Sequence, residues 1–195
     1  MAFVNTSLNI ILNNKECSEH ELIKIKYGLE GLYSFVTKYT FILLLNILLG
    51  TTLEFIVFHV TYAIIRAFGF GLHAKTNLGC WIISTISFVI IPFIIKNIFI
   101  SKLILFVIGV IATVIIIIFA PADTKKRPLI HKDKRMQNKV ISIIICLLYL
   151  CLIYILNNFI VNCLAYALLF ESLMINPLSY MISKQSFNNY KKMNV

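Results

Sequence analysis

Acidic side chains are scarce in this chain. Its 195 residues hold 8 Asp and Glu against 18 Lys and Arg, a net charge of +10. There is no glycine-, serine- or proline-rich linker and no internal repeat. The chain is therefore read as one membrane domain over 1–195, with no length left for a separate soluble domain. The five cysteines, Cys17, Cys80, Cys146, Cys151 and Cys163, are odd in number and form no CxxC pair. That disfavours a disulfide framework or a zinc cluster. Neither an HExxH nor a Walker motif occurs. Metal-dependent proteolysis and ATP-driven transport are disfavoured accordingly, and no metal or cofactor is expected. Residues 1–12 have no basic n-region and no A-x-A site, so entry into a membrane through internal segments is expected.

Apolar residues are plentiful. They make up 59% of the chain, and the mean hydropathy is +0.89. A soluble domain averages about 45–50%. Apolar runs cover 39–65, 80–95, 103–120, 140–156 and 159–178. The expected fold is all-α, a polytopic membrane helix bundle. It should have about four full crossings plus a re-entrant or short-helix pair over 39–65, about six apolar helices in all. Gly50-Thr51-Thr52 is the natural break in that pair. Over 15–38, Leu22, Ile25, Leu29, Leu32 and Val36 recur at helical spacing among charges. This reads either as an interfacial amphipathic helix or as a solvated helix packed on the bundle.

The positive charges sit between the apolar runs, which favours anionic lipid as their partner over nucleic acid. The segment 121–139 carries seven of them: Lys125, Lys126, Arg127, Lys132, Lys134, Arg135 and Lys139. The positive-inside rule makes it a cytoplasmic loop. With both termini also inside, an even number of crossings must precede it, and the stretch 66–79 falls on the cytoplasmic face. Lys96 and Lys102, in an outer turn, oppose this weakly.

That stretch holds His73 and Cys80 in a glycine-bearing polar setting. An imidazole can serve a thiol as general base. On a straight helix seven residues would separate them by about 10 Å along the axis, which is too far. A turn over 75–79, with Asn77 and Gly79 as turn or cap residues, would fold His73 back over Cys80. Cys80 would then start a helix, whose dipole favours negative charge there. From the spacing alone, structural packing is the leading reading of the pair, with a catalytic dyad and half a metal site as the alternatives. Asn77, Ser84, Glu54 and Asp123 are candidates to orient His73. Glu54 stands out as an acid in an apolar run, a placement that is expensive and tends to be functional; pairing with Arg66 or Lys75 is its structural alternative. His59, in the same run, reads as a hydrogen-bonded interior histidine.

The pattern Arg66…Gly71-Leu72-His73-Ala74…Cys80 resembles the signature of the AgrB (accessory gene regulator B) family. Ala120-Pro121-Ala122-Asp123-Thr124-Lys125-Lys126-Arg127-Pro128-Leu129-Ile130 resembles that family's basic loop, and Lys26-Tyr27-Gly28-Leu29-Glu30 its N-terminal segment. The order Gly69-Phe70-Gly71 departs from the paired glycines common before the histidine. The resemblance implies a multi-pass cysteine endopeptidase of the bacterial cell membrane that acts on an AgrD-like peptide precursor. It implies Cys80 as nucleophile, His73 as base, and Arg66 and Gly71 as supporting positions. A homodimer is implied on the same ground. Two readings of another kind compete. One is a small transporter or peptide export channel with Glu54, His59 and Arg66 lining a polar path. The other is a non-catalytic membrane scaffold.

Overall fold

The computed structural model describes residues 6–8, 11, 18–124 and 128–192. Cys17, Lys125, Lys126 and Arg127 lie outside the described residues. Seven α-helices follow Ser18: α1 (Glu19–Leu48), α2 (Thr52–Gly69), α3 (Asn77–Asn97), α4 (Lys102–Phe119), α5 (Lys132–Ile155), α6 (Phe159–Ile175) and α7 (Pro177–Ile182). A short 3-10 helix closes the chain at Asn189–Lys192. Five of them, α1 to α5, are long and apolar enough to cross a membrane; α6 is shorter and also apolar. Two compact units are present, 1–45 and 46–195.

In the first unit, Ser18 and Glu21 start α1 as a capping box. The Ser18 N–H donates to the Glu21 carboxylate at 3.0 Å, and the Glu21 N–H donates back to the Ser18 hydroxyl at 3.4 Å. From there α1 is continuous to Leu48. The amphipathic segment and the first member of the expected short pair are thus one helix. Nothing in 39–48 stops a helix that has begun, since neither glycine nor proline occurs between Tyr39 and Leu49. The break falls at the expected place, with Gly50 at φ +66°.

The second unit is organised around α6. Val161, Cys163, Leu164, Ala165, Ala167, Leu168, Glu171, Ser172 and Ile175 of α6 are all buried. At ~100° per residue they cover somewhat more than half of the helix circumference, while Tyr166, Leu169 and Leu173 on the remaining side are not buried. It packs chiefly on α2 and α4, and also on α3 and α5. Small residues let the helices approach closely without an aqueous driving force: a Cβ on Gly109 of α4 would lie 3.1 Å from Leu150 Cδ2. Phe55, Phe58, Tyr62, Phe88 and Phe170 form an aromatic cluster among α2, α3 and α6. Ile83, Ile86, Ile90, Val107, Ile111 and Val114 remain exposed, an apolar exterior suited to lipid.

Polar groups inside the unit repair specific backbone gaps. Pro92, inside α3, has no N–H for the carbonyl of Phe88 one turn earlier. The Asn46 side-chain amide donates to that carbonyl instead, at 3.0 Å. The Asn46 amide oxygen in turn accepts the Thr51 hydroxyl at 2.7 Å. Without water, such substitutions are how a broken helix stays satisfied in a bilayer.

Two boundaries move from their expected places. Helix α5 takes in Lys132 to Lys139 of the basic loop, because Lys, Arg, Gln and Met are good helix formers whatever their polarity. Helix α3 begins at Asn77, not Cys80.

Candidate functional site

One end of the second unit gathers three segments: 70–76 between α2 and α3, 120–124 after α4, and 176–191 after α6. Chain leaves α2 through Phe70 at φ +60° and Gly71 at φ +99°. Those conformations turn the chain sharply out of the helix. Gly69 accepts from the Ala122 N–H at 3.0 Å, and the Gly71 N–H donates to the Ala122 carbonyl at 2.7 Å. The Leu72 N–H donates to the Met174 carbonyl at 2.9 Å. The His73 carbonyl accepts from Gln185 Nε2 at 2.7 Å. Three consecutive residues are thus tied to three different segments.

Arg66 supports this loop from within the bundle. Its Nη1 lies 3.3 Å from Glu171 Oε2, with Glu171 fully buried. Its Nη2 donates to the Leu72 carbonyl, one residue before His73. The other carboxylate oxygen, Glu171 Oε1, has no hydrogen-bond partner among the described residues. The glycines make room for this pair. A Cβ on Gly69 would run into Glu171 Oε1, and one on Gly71 into Arg66 Nη1. The Tyr180 hydroxyl donates to the Ala122 carbonyl at 3.2 Å. Burial pushes that hydroxyl well above the ordinary phenol range, the nearby Arg66 charge offsetting part of the rise, so it remains a neutral donor.

His73 itself is exposed on the loop, and Cys80 is half-buried in the first turn of α3. Thr76 caps that helix: its hydroxyl accepts from the Gly79 N–H at 3.1 Å, and its carbonyl from the Cys80 N–H at 3.0 Å. The turn between histidine and cysteine is thus shorter than the expected 75–79, with Asn77 and Gly79 already helical. A threonine hydroxyl that captures an N–H in the first turn starts the helix earlier than the glycine suggested.

The candidates for orienting His73 separate. Asn77 is the first, exposed residue of α3. Ser84 lies one turn beyond Cys80, with Oγ 4.0 Å from the sulfur. Asp123 is committed to the C-terminal segment: it accepts from the N–H groups of Asn189 at 2.8 Å and Tyr190 at 2.9 Å. Glu54 is in the first turn of α2, about 18 Å along the axis from Arg66 at ~1.5 Å per residue. It is therefore at the far end of that helix from His73, and the partner of Arg66 is Glu171. His59 stacks on Phe55 and meets Phe88 edge-on, with centroids 5.8 and 5.0 Å away. At ~100° per residue Glu54 lies about 140° round the helix from His59, so these residues do not line a single polar path with Arg66.

Two contributors were not anticipated. Glu171 is one, and its signal was present: an acid inside an apolar run. The other is the C-terminal segment, whose Gln185, Asn189 and Tyr190 reach the loops through contacts with no local pattern to reveal them.

A bundle of long apolar helices with a buried arginine–glutamate pair, and with thiol and imidazole at one end, defines a multi-pass membrane protein with a polar site at that end. The chain belongs to the accessory gene regulator B (AgrB) family, whose model matches residues 4–175. It is 35% identical over 181 residues to a putative AgrB-like protein of Listeria innocua, covering 89% of this chain and 86% of that one. It is 31% identical over 168 residues to accessory gene regulator protein B of Staphylococcus intermedius, covering 83% and 85%. A putative AgrB-like protein of Clostridium acetobutylicum is 26% identical over 171 residues, covering 87% and 82%. No solved structure matches at a significant level.

Proposed function

We propose that this chain is a membrane cysteine endopeptidase that cleaves the C-terminal part from an AgrD-type precursor and promotes closure of a thiolactone or lactone ring. The observation that carries this is the anchoring of residues 71, 72 and 73 to three separate segments just ahead of a capped helix bearing Cys80. A base and a nucleophile need fixed carriers more than they need any particular sequence spacing.

The chemistry runs in two steps. His73 takes the proton of the Cys80 thiol, and the sulfur attacks the scissile carbonyl. The C–N bond breaks, the proton passes to the departing amine, and a thioester on Cys80 remains. A thiol or hydroxyl within the bound precursor then attacks that thioester. The ring closes and the Cys80 thiol is regenerated with its proton. Thiol-to-thiol acyl exchange is nearly thermoneutral, so excluding water from the site favours ring closure over hydrolysis. The N–H groups of Gly79 and Cys80 are engaged by Thr76, so negative charge developing near the sulfur relies on the α3 dipole, not on those two donors. Arg66 and Gly71 act by holding the loop; Asn77 and Ser84 remain the candidates to orient His73. The site faces the cytoplasm, by the basic residues at the same end of the unit, and the enzyme is a homodimer by family resemblance.

The test uses full-length protein in liposomes with a candidate precursor. Wild type is expected to cleave and to carry a Cys80-linked thioester detectable by mass spectrometry. Cys80→Ala should abolish both, and His73→Gln should slow cleavage by about 10²–10⁴-fold. Cleavage by Cys80→Ala at the wild-type rate would exclude the mechanism. Precursor crossing the bilayer without cleavage would favour a transporter.

A further inference from the structure

We propose that the cavity between the end of α4, the start of α5 and the C-terminal segment binds the phosphodiester headgroup of an anionic membrane lipid. The cavity measures about 470 Å³ and is lined by Lys132, Arg135, Lys139 and Lys191; no carboxylate lines it among the described residues. Four like charges facing one space repel each other, and an anion placed there relieves the repulsion. Lys132, Arg135 and Lys139 fall at i, i+3 and i+7, on one face of α5.

Arg135 is already fixed for this task. Its guanidinium lies 3.8 Å from the centroid of the Tyr190 ring, and Nη1 donates to the Leu129 carbonyl at 3.1 Å. A stacked and hydrogen-bonded guanidinium gives up little freedom when it meets a phosphate. Apart from Asn188 and Tyr190 the remaining wall is apolar, with Ile118 and Phe119 from the last turn of α4. A free phosphate has no use for that wall, whereas the glycerol and upper acyl carbons of a lipid do. Position agrees: α4 is the most apolar of the candidate spans, and it ends at the cavity. The site is independent of the peptidase reading, since it uses neither His73 nor Cys80.

The experiment reconstitutes the full chain in phosphatidylcholine vesicles with and without phosphatidylglycerol, then measures retained lipid by native mass spectrometry. Wild type should retain phosphatidylglycerol selectively. Each of Lys132→Gln, Lys139→Gln and Lys191→Gln should lower that selectivity about fivefold, the effect of removing one interfacial cation. Lys132→Arg with Lys139→Arg should keep it, and circular dichroism should show unchanged helix content throughout. Lys24→Gln with Lys26→Gln, outside the cavity, should change it by less than about twofold through screened charge alone. Equal losses in that control, or no loss in the cavity variants, would overturn the proposal. So would displacement of the lipid by free glycerol phosphate at the same concentration, or retention of an acidic peptide in its place.

Discussion

The two ends of the second unit are held in different ways. At the end that carries His73, backbone meets backbone: the Gly71 N–H donates to the Ala122 carbonyl, the Ala122 N–H donates to the Gly69 carbonyl, and the Leu72 N–H donates to the Met174 carbonyl. Side chains reinforce this, with half-buried Arg66 on buried Glu171, and buried Asp123 on Asn189 and Tyr190. At the opposite end, two lysines, Lys96 exposed and Lys102 half-buried, bridge the turns. Lys96 donates to the Gly50 carbonyl, and Lys102 to the Asn157 amide oxygen at 2.8 Å. Backbone ties fix position to fractions of an ångström, while long cationic side chains tolerate movement. The fold ties backbone to backbone between segments where chemistry is proposed, whereas at the other end longer, adaptable lysine contacts join the buried Asn46–Thr51 hydrogen bond.

The largest break in that contrast should come at Glu171. Glu171→Leu leaves the Arg66 charge inside the bundle without its carboxylate and should destabilise the protein by about 3–5 kcal/mol, read from unfolding in mixed micelles. Arg66→Met with Glu171→Leu removes both charges and should recover most of that loss, because an apolar pair of similar volume avoids the desolvation cost. Cleavage per folded molecule should remain low in the double variant, since the Leu72 carbonyl has lost its donor. A double variant that folds and cleaves like wild type would make the pair purely structural.

Gly71→Ala should come next. Its φ of +99° and the approach of Arg66 Nη1 leave no place for a methyl group, and strain of this kind costs about 1–3 kcal/mol. Displacing the loop should also slow cleavage about 10–100-fold, the effect of a small misplacement of a reacting group. Gly109→Ala is the comparison: it presses on Leu150 within the bundle and should lower stability while leaving cleavage per folded molecule unchanged. Equal effects on cleavage from the two variants would remove the distinction between loop and bundle.

What the sequence disclosed follows the same division. Helices were legible because lipid-facing and buried surfaces are both apolar, so runs of hydrophobic residues announce them, and Gly50 announced the first break. The glycines at 69 and 71 marked the loop. The ends of α1 and α5 were obscured because polarity changes there while helix propensity does not. Glu171 sits 105 residues from Arg66; such a partner is found by tertiary packing, not by spacing. Asp123 was legible as a polar residue of interest, but its carboxylate serves the C-terminal segment, whose contacts no local pattern foretells.

A moderate effect is expected away from the loop, at Asn46. Asn46→Leu strips the donor from the Phe88 carbonyl and the acceptor from the Thr51 hydroxyl. Leaving buried polar groups unsatisfied costs about 1–3 kcal/mol each. In a Pro92→Ala background the new N–H can serve Phe88 in the ordinary helical way, so the cost of Asn46→Leu should shrink. A double-mutant cycle on thermal unfolding measures that coupling. Additive effects would show that the asparagine does not compensate for the proline. Cleavage per folded molecule should stay at the wild-type level in all three.

The smallest effect should be at the lysine-bridged end. Lys102→Gln shortens the side chain that reaches Asn157, and the freed amide, being exposed, is taken up by water. The change in stability should be below about 1 kcal/mol, and the same holds for Lys96→Gln at Gly50. These two cations have a second consequence, because they are the positive charges that oppose the proposed orientation. Removing them should leave Lys75→Cys labelled from the cytoplasmic side only, as the stronger basic segment at 128–139 dictates. A loss of several kcal/mol at either lysine would mean that the two ends are not differently built. Labelling of position 75 from outside alone would put the histidine and the cysteine on the wrong face for a cytoplasmic precursor.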